Sequence, residues 1–190
     1  FNYYQFFCFY FFEFVDIAGL VKGASEGAGL GNKFLTHIRE VDAILEVVRV
    51  FEDSDIIHVS GKADPVSDIE IIEYELIMKD METVSKRLES IERDVRAGKK
   101  ETVTEQRILK SLMDAFASAV PARTIRPIGK GEQEEFDAIA QSLSLLTAKP
   151  LLFVFNASEQ MIQSHWEPSN QLREKTGQAT CAVLNAKIES

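Results

Sequence analysis

Four groups of residues in this chain have types and spacings suited to chemistry: Asp16-Ile17-Ala18-Gly19, His58, Asn156-Ala157-Ser158-Glu159 and Asn185-Ala186-Lys187. An aspartate carboxylate is a hard oxygen ligand of the kind Mg²⁺ prefers, commonly through a bound water, because that ion sheds water reluctantly. Gly19 lacks a Cβ, so its backbone N–H can approach an anionic oxygen closely. Glycine recurs at 23, 27, 29 and 31 in the run GASEGAGLG, which gives the following loop unusual backbone freedom. His58 can accept or donate a proton near neutral pH, and it can equally be a solvated loop histidine.

The elements that must position these groups follow from the apolar pattern. Phe14 to Ile17 is a short apolar run that breaks at Ala18-Gly19, as a buried parallel strand does at its functional end. Leu30, Phe34, Ile38 and Val41 then recur at helical spacing. Ala43 to Phe51 reads as a second buried strand, closed by the acidic turn Glu52-Asp53-Ser54-Asp55, and Ile56 to Ser60 as a minor strand. Leu151 to Phe155 and Ala179 to Leu184 read as further strands, each running into one of the polar motifs. Ligands of open parallel sheets sit at the carboxyl ends of strands, which is where three of the four groups fall. Asn156 and Glu159 could also simply begin a turn and cap the next helix.

Between the second and third strands the period changes. Ile77, Met81, Val84, Leu88, Ile91 and Val95 form a heptad seam that stops at Ala97-Gly98, and Leu109, Leu112 and Phe116 resume a helical pattern. Two long helices joined by a glycine turn make an antiparallel helical arm, closed by Pro121 and Pro127. Further helices are expected over Glu132 to Leu146 and over Ser169 to Lys175, the latter stopped by Gly177. From Lys86 to Lys110 the arm carries eight basic residues against five acidic ones. Such a tip suits contact with RNA, although charge runs are usually solvated faces.

Composition bounds the possibilities. A hydrophobic share of 45% over 190 residues allows one domain, or one domain with an insertion, to bury a core. The net charge of -9 argues against broad nonspecific nucleic-acid binding, and no DNA or membrane partner is expected. Cys8 and Cys181 form no paired motif, so a reducing, cytoplasmic setting is the simplest expectation. Residues 1–12 hold nine of the chain's aromatics, a run too short to span a bilayer and without the basic flank of a signal peptide. The expectation is a mispredicted start or a truncation scar, against an edge strand or a membrane-surface anchor.

The strand-end motifs resemble, in order, the third, fourth and fifth nucleotide motifs of P-loop NTPases. The stretch FVDIAGLVKGASEGAGLGNKFLTHIREVDAI is similar to the Obg-related pattern almost throughout. IIHVSGKADPVSDIEIIEYEL, LLTAKPLLFVFNASE, LNAKIES and the helical arm resemble the YchF/OLA1-like branch of that group. The resemblance runs from about Glu13 to Ser190. It implies an α/β fold: a partial P-loop NTPase parallel sheet, G-domain-like, with an inserted antiparallel helical coiled-coil arm. Residues 13–64 and 128–190 would form the partial OBG-type G domain, 65–127 the arm, and 1–12 an atypical N-terminus.

The same resemblance implies ATP and Mg²⁺ as cofactors, ATP hydrolysis in the full-length form, and the ribosome (large subunit and rRNA) as partner. Asp16 would hold the metal, Gly19 would sense the terminal phosphate, and Asn156, Ala157, Glu159, Asn185 and Ala186 would line the base. Leu20 stands where many relatives carry a water-orienting glutamine, and His58 falls in a segment that matches the family's mobile loop, where the resemblance implies a histidine that positions water. Guanine-specific members place a shorter aspartate where Glu159 stands. One extra methylene moves the carboxylate by about 1.5 Å, beyond hydrogen-bond tolerance of the same geometry, so ATP is the implied nucleotide. No Gly-x-x-x-x-Gly-Lys-Ser/Thr loop precedes Asp16. The chain is therefore expected to be a fragment, without the C-terminal TGS domain, that binds ATP poorly alone and does not turn it over. The alternatives are an inactive interaction module built on the arm, or a GTP-binding Obg-like switch.

Overall fold

The computed structural model describes residues 13–15, 38–51, 64–126, 131–177 and 179–186. Three segments rich in β-branched and aromatic residues form β1 (Ile44–Arg49), β2 (Leu151–Asn156) and β3 (Thr180–Leu184). They pair in parallel in the order β1-β2-β3, with Val48 opposite Phe155 and Phe155 opposite Val183. This register brings Arg49, Asn156 and Leu184 level at the carboxyl edge.

The helices are α1 (Pro65–Arg96), α2 (Lys100–Ala117), α3 (Glu132–Ser142), α4 (Glu159–Gln163) and α5 (Asn170–Thr176). Asp64 caps α1, its Oδ1 accepting from Ser67 N at 3.1 Å, with Pro65 in the first turn where its missing N–H costs nothing. The first turns of α1 pack on the sheet, where Ile69 joins Val48, Phe153, Phe155 and Leu172 in one buried cluster. Farther along, Ile77, Val84 and Ile91 bury against Ile108, Leu109, Leu112 and Phe116 of α2, with Met81, Leu88 and Val95 half-buried beside them. The residues expected to form the seam are therefore those that hold the helical hairpin together. At its tip Gly98 adopts a φ of 74° and donates to Val95 O while Lys99 donates to Asp94 O, the bond pattern that ends a helix on a left-handed residue.

Several expectations need correction. Of the strand expected at Phe14 to Ile17, Phe14 and Val15 belong to no strand of the described sheet, Phe14 being 80% exposed, and Asp16 and Ile17 lie outside the described residues. A strand is held by a neighbour's main chain and by burial, and Phe14 and Val15 have neither among the described residues. The pattern of β1 implies burial on both faces, yet Leu45 and Val47 are 43% and 59% exposed. Ile69 of α1 and Leu172 of α5 cover the opposite face, the one that carries Val48. The helix expected to reach Leu146 stops at Ser142, because Ser144 turns left-handed (φ 49°) and Leu145 N bonds Ala140 O. No glycine marks that stop, and the apolar periodicity runs past it. The minor strand expected at Ile56 to Ser60 lies outside the described residues.

Candidate functional site

β2 ends in Asn156, and the chain turns through Ala157 and Ser158 into the short helix α4, with Glu159 in its first turn. Ser158 is the cap: its Oγ accepts from Met161 N at 3.3 Å. β3 ends one residue before Asn185. Because Asn156 is paired with Leu184 in the sheet, the two polar loops leave the same edge side by side.

Three hydrogen bonds join them among the described residues. Ala157 N donates to Leu184 O at 2.8 Å, Asn185 Nδ2 to Ala157 O at 2.7 Å, and Ala186 N to Asn156 Oδ1 at 3.1 Å. Asn156 O accepts from Val50 N at 3.0 Å, which ties in the end of β1 as well. Asn156 thus spends its side-chain oxygen on the partner loop, and its Nδ2 is unpaired with any described residue. The Glu159 carboxylate is exposed, with Oε1 accepting from Gln163 Nε2 at 3.2 Å one turn on. The edge therefore presents an amide donor, a backbone turn and a carboxylate oxygen. That set fits one face of a planar heterocycle with both donors and acceptors.

The structure brings together Asn156, Ala157, Glu159, Asn185 and Ala186 at this edge. Asp16, Gly19, Leu20 and His58 lie outside the described residues. Among the described residues no group of three or more His, Cys, Asp or Glu side chains could hold a metal ion. No helix among them is long and apolar enough to cross a membrane.

Two buried carboxylates were missed by sequence reasoning. Asp80 of α1 is fully buried, with Oδ1 accepting from Leu146 N and Oδ2 from Thr147 N (both 2.8 Å) and from Thr147 Oγ1 (2.7 Å). Thr147 Oγ1 in turn accepts from Ala122 N, so one carboxylate organises the turn that feeds β2. Burial raises the Asp80 pKa and outweighs the opposite pull of these hydrogen bonds. Glu46 sits inside β1 on the covered face, 7% exposed, and its Oε1 has no hydrogen-bond partner among the described residues. Burial first, then the nearby Glu73 carboxylate, push its pKa up to about 8 against the pull of Arg123. Both residues interrupt apolar patterns, Asp80 between Ile77 and Val84 and Glu46 inside ILEVVR, and that interruption was the available signal.

A cleft of about 660 Å³ opens elsewhere, lined in part by Arg39, Arg123 and Lys149. These cations already serve the fold: Arg39 donates to Thr83 Oγ1 (2.7 Å), Arg123 pairs with Glu73, and Lys149 donates to Arg39 O and Val41 O. The cleft contains none of the strand-end residues.

Residues 4–86 match the family model described as 50S ribosome-binding GTPase. The ribosome-binding ATPase YchF of Bacillus subtilis (strain 168) is 49% identical over 183 residues, covering 94% of this chain and 49% of that protein. The ribosome-binding ATPase YchF of Escherichia coli O157:H7 is 38% identical over 181 residues, 93% of this chain and 48% of that protein. Obg-like ATPase 1 of Schizosaccharomyces pombe is 44% identical over 155 residues, 78% of this chain and 38% of its own. The solved structure of the Schizosaccharomyces pombe YchF GTPase superposes with a TM-score of 0.70 at 35% identity, over 89% of this chain and 46% of that one. The chain spans about half the length, or less, of these relatives. Their descriptions name both ATPase and GTPase, so the choice of base rests on the site.

Proposed function

Since this chain belongs to the YchF/OLA1-like branch of the Obg-related P-loop NTPases, we propose that it is the nucleotide-sensing part of a cytoplasmic, ribosome-associated switch that prefers ATP to GTP. The observation that carries this reading is the state of Glu159. Guanine presents two parallel donors that a carboxylate must meet with two oxygens. Gln163 Nε2 donates to Oε1 of Glu159, so a guanine donor arriving at that oxygen has to share it with Gln163, while Oε2 accepts from no described residue. Adenine's single amino donor fits one oxygen, and Asn156 Nδ2, which has no partner among the described residues, supplies a donor for a ring nitrogen. Mg²⁺ would be held by Asp16 and the terminal phosphate sensed at Gly19. Leu20 cannot orient water, which makes His58 the candidate for that task.

Titration of the ¹⁵N-labelled chain with ATP and with GTP, both with Mg²⁺, tests the reading even at low affinity. Amide shifts are expected at Asn156, Ala157, Glu159 and Ala186, saturating at lower concentration for ATP. Glu159→Asp is expected to move the ATP-to-GTP preference about tenfold toward GTP, the scale of one charge-assisted hydrogen bond. Tighter binding of GTP by the unaltered chain, or no shift with either nucleotide, would count against the proposal.

The arm supports a second part of the reading, contact with rRNA of the large subunit. Among its eight cations, Arg87, Arg96, Lys99 and Arg107 form ion pairs with Glu105, Glu92, Asp94 and Glu132. Lys86, Arg93, Lys100 and Lys110 are exposed and make no such pair among the described residues. Cations not committed to carboxylates are the ones able to release counterions from phosphate. Replacing all four by glutamine is expected to weaken binding to large-subunit rRNA and to flatten its salt dependence, by about one unit of log-log slope for each phosphate no longer neutralised. An unchanged slope in filter-binding measurements from low to physiological salt would remove the arm from the interface.

A further inference from the structure

Asn185 stands at the end of β3 with its side chain turned inward. It is 9% exposed, and its Nδ2 donates at 2.7 Å to Ala157 O, which belongs to a fully buried residue 28 positions earlier in the chain. A buried carbonyl left without a donor is costly, so this contact cannot be given up without the loop moving toward water. The reverse bonds, Ala157 N to Leu184 O and Ala186 N to Asn156 Oδ1, flank it on both sides. The sheet fixes the strands only as far as the pair Asn156 and Leu184. Beyond that pair these three bonds join the two loops among the described residues, and Asn185 supplies the one of the three made by a β3-loop side chain.

We propose that Asn185 is a positioning residue of the base site: its amide clamps the loop after β3 to the loop after β2, and so sets Ala186 and Glu159 at the separation a purine needs. The inference rests on the base-site reading above and adds a specificity-determining residue to it. Side-chain length and polarity both matter to the clamp. A serine hydroxyl is one bond shorter and falls short of Ala157 O. An aspartate matches the shape but points an oxygen at that oxygen and is repelled.

The test uses the full 190-residue chain and three variants, Asn185→Ala, Asn185→Ser and Asn185→Asp, beside Leu172→Ala in α5, a buried core residue that belongs to neither loop. Each is titrated with ATP and GTP by the amide shifts of Ala157 and Ala186, and its thermal midpoint is recorded. The expected result for Asn185→Ala and Asn185→Ser is binding of ATP about tenfold weaker, with the ATP-to-GTP preference narrowed, and a larger loss for Asn185→Asp. Leu172→Ala, at an equal or greater drop in midpoint, is expected to keep the original affinity and preference. Should Asn185→Ala fail to fold, the serine variant carries the same test with less volume removed.

Unaltered affinity and preference in the Asn185 variants, or a loss no larger than that of Leu172→Ala, overturns the proposal. If the unaltered chain binds neither nucleotide, the functional reading fails separately, and hydrogen exchange then decides the clamp. The Ala157 and Ala186 amides are expected to exchange about tenfold faster in Asn185→Ala, and equal rates would show that Asn185 holds nothing in place.

Discussion

Asp80→Ala is expected to cost about 3–5 kcal/mol of folding stability, measured by urea unfolding of the 190-residue chain. The substitution removes an acceptor that three donors share and leaves Leu146 N, Thr147 N and Thr147 Oγ1 without it in a dry interior. Each buried donor left unpaired costs about 1–3 kcal/mol, so their sum is a large part of the 5–15 kcal/mol that holds an ordinary domain together. Asp80→Asn is expected to recover little. Two donors converge on Oδ2 and one on Oδ1, and whichever way the amide is turned, its NH₂ faces a donor. A loss below about 1 kcal/mol for the alanine variant would show that the carboxylate is not what secures the turn into β2.

Glu46→Gln is expected to act in the opposite direction and to stabilise the chain by up to about 3 kcal/mol at pH 7. The Glu46 carboxyl titrates near 8 in the fold against 4.5 as its ordinary value. Between those values the folded chain keeps a proton that the unfolded chain has already released, so stability falls as pH rises from 4.5 to about 8 and is level above that. Below 4.5 both states are protonated and the group contributes no pH dependence. A glutamine is neutral in both states and removes the fall. Thermal midpoints of the two proteins should therefore agree near pH 4.5 and separate steadily toward pH 8. Parallel curves across that range would mean that Glu46 is ionised in the fold at neutral pH. The neighbours facing it are Glu73 and Asp68 from α1 and Arg123 from the turn Ala122–Thr124, so the ion pair of Arg123 with Glu73 limits how much positive charge reaches it.

Legibility depended on whether the determinant was local. The hairpin is readable because the buried Ile77, Val84 and Ile91 recur at the helical period, and because Gly98 supplies the left-handed turn that ends α1. The end of α3 is not, since Ser144 performs the same task without being the residue type that advertises it. Helix α5 falls within a residue or so of its expected place, with Ser169 as cap and Gly177 as stop. Ser158 caps α4 by the same chemistry, in a motif whose Asn and Glu are the more conspicuous residues.

The parallel strands, the helical hairpin and the strand-end polar motifs are all written in the amino-acid order, because each depends on periodicities and residue types that act within a few positions. The family is written there too, through Asp16 to Gly31 and the Asn156 and Glu159 motif. What the polar side chains do is settled only when the chain is folded. That Asn185 donates to Ala157 O, that Gln163 donates to one oxygen of Glu159, that Asp80 holds Leu146 and Thr147, and that Glu46 Oε1 is left without a hydrogen-bond partner among the described residues are outcomes of packing. Apart from the bond between Gln163 and Glu159, these partners lie tens of residues apart, and a local pattern has no means to record them. A hydrogen bond is satisfied by geometry at the moment of burial, so its identity belongs to the folded molecule.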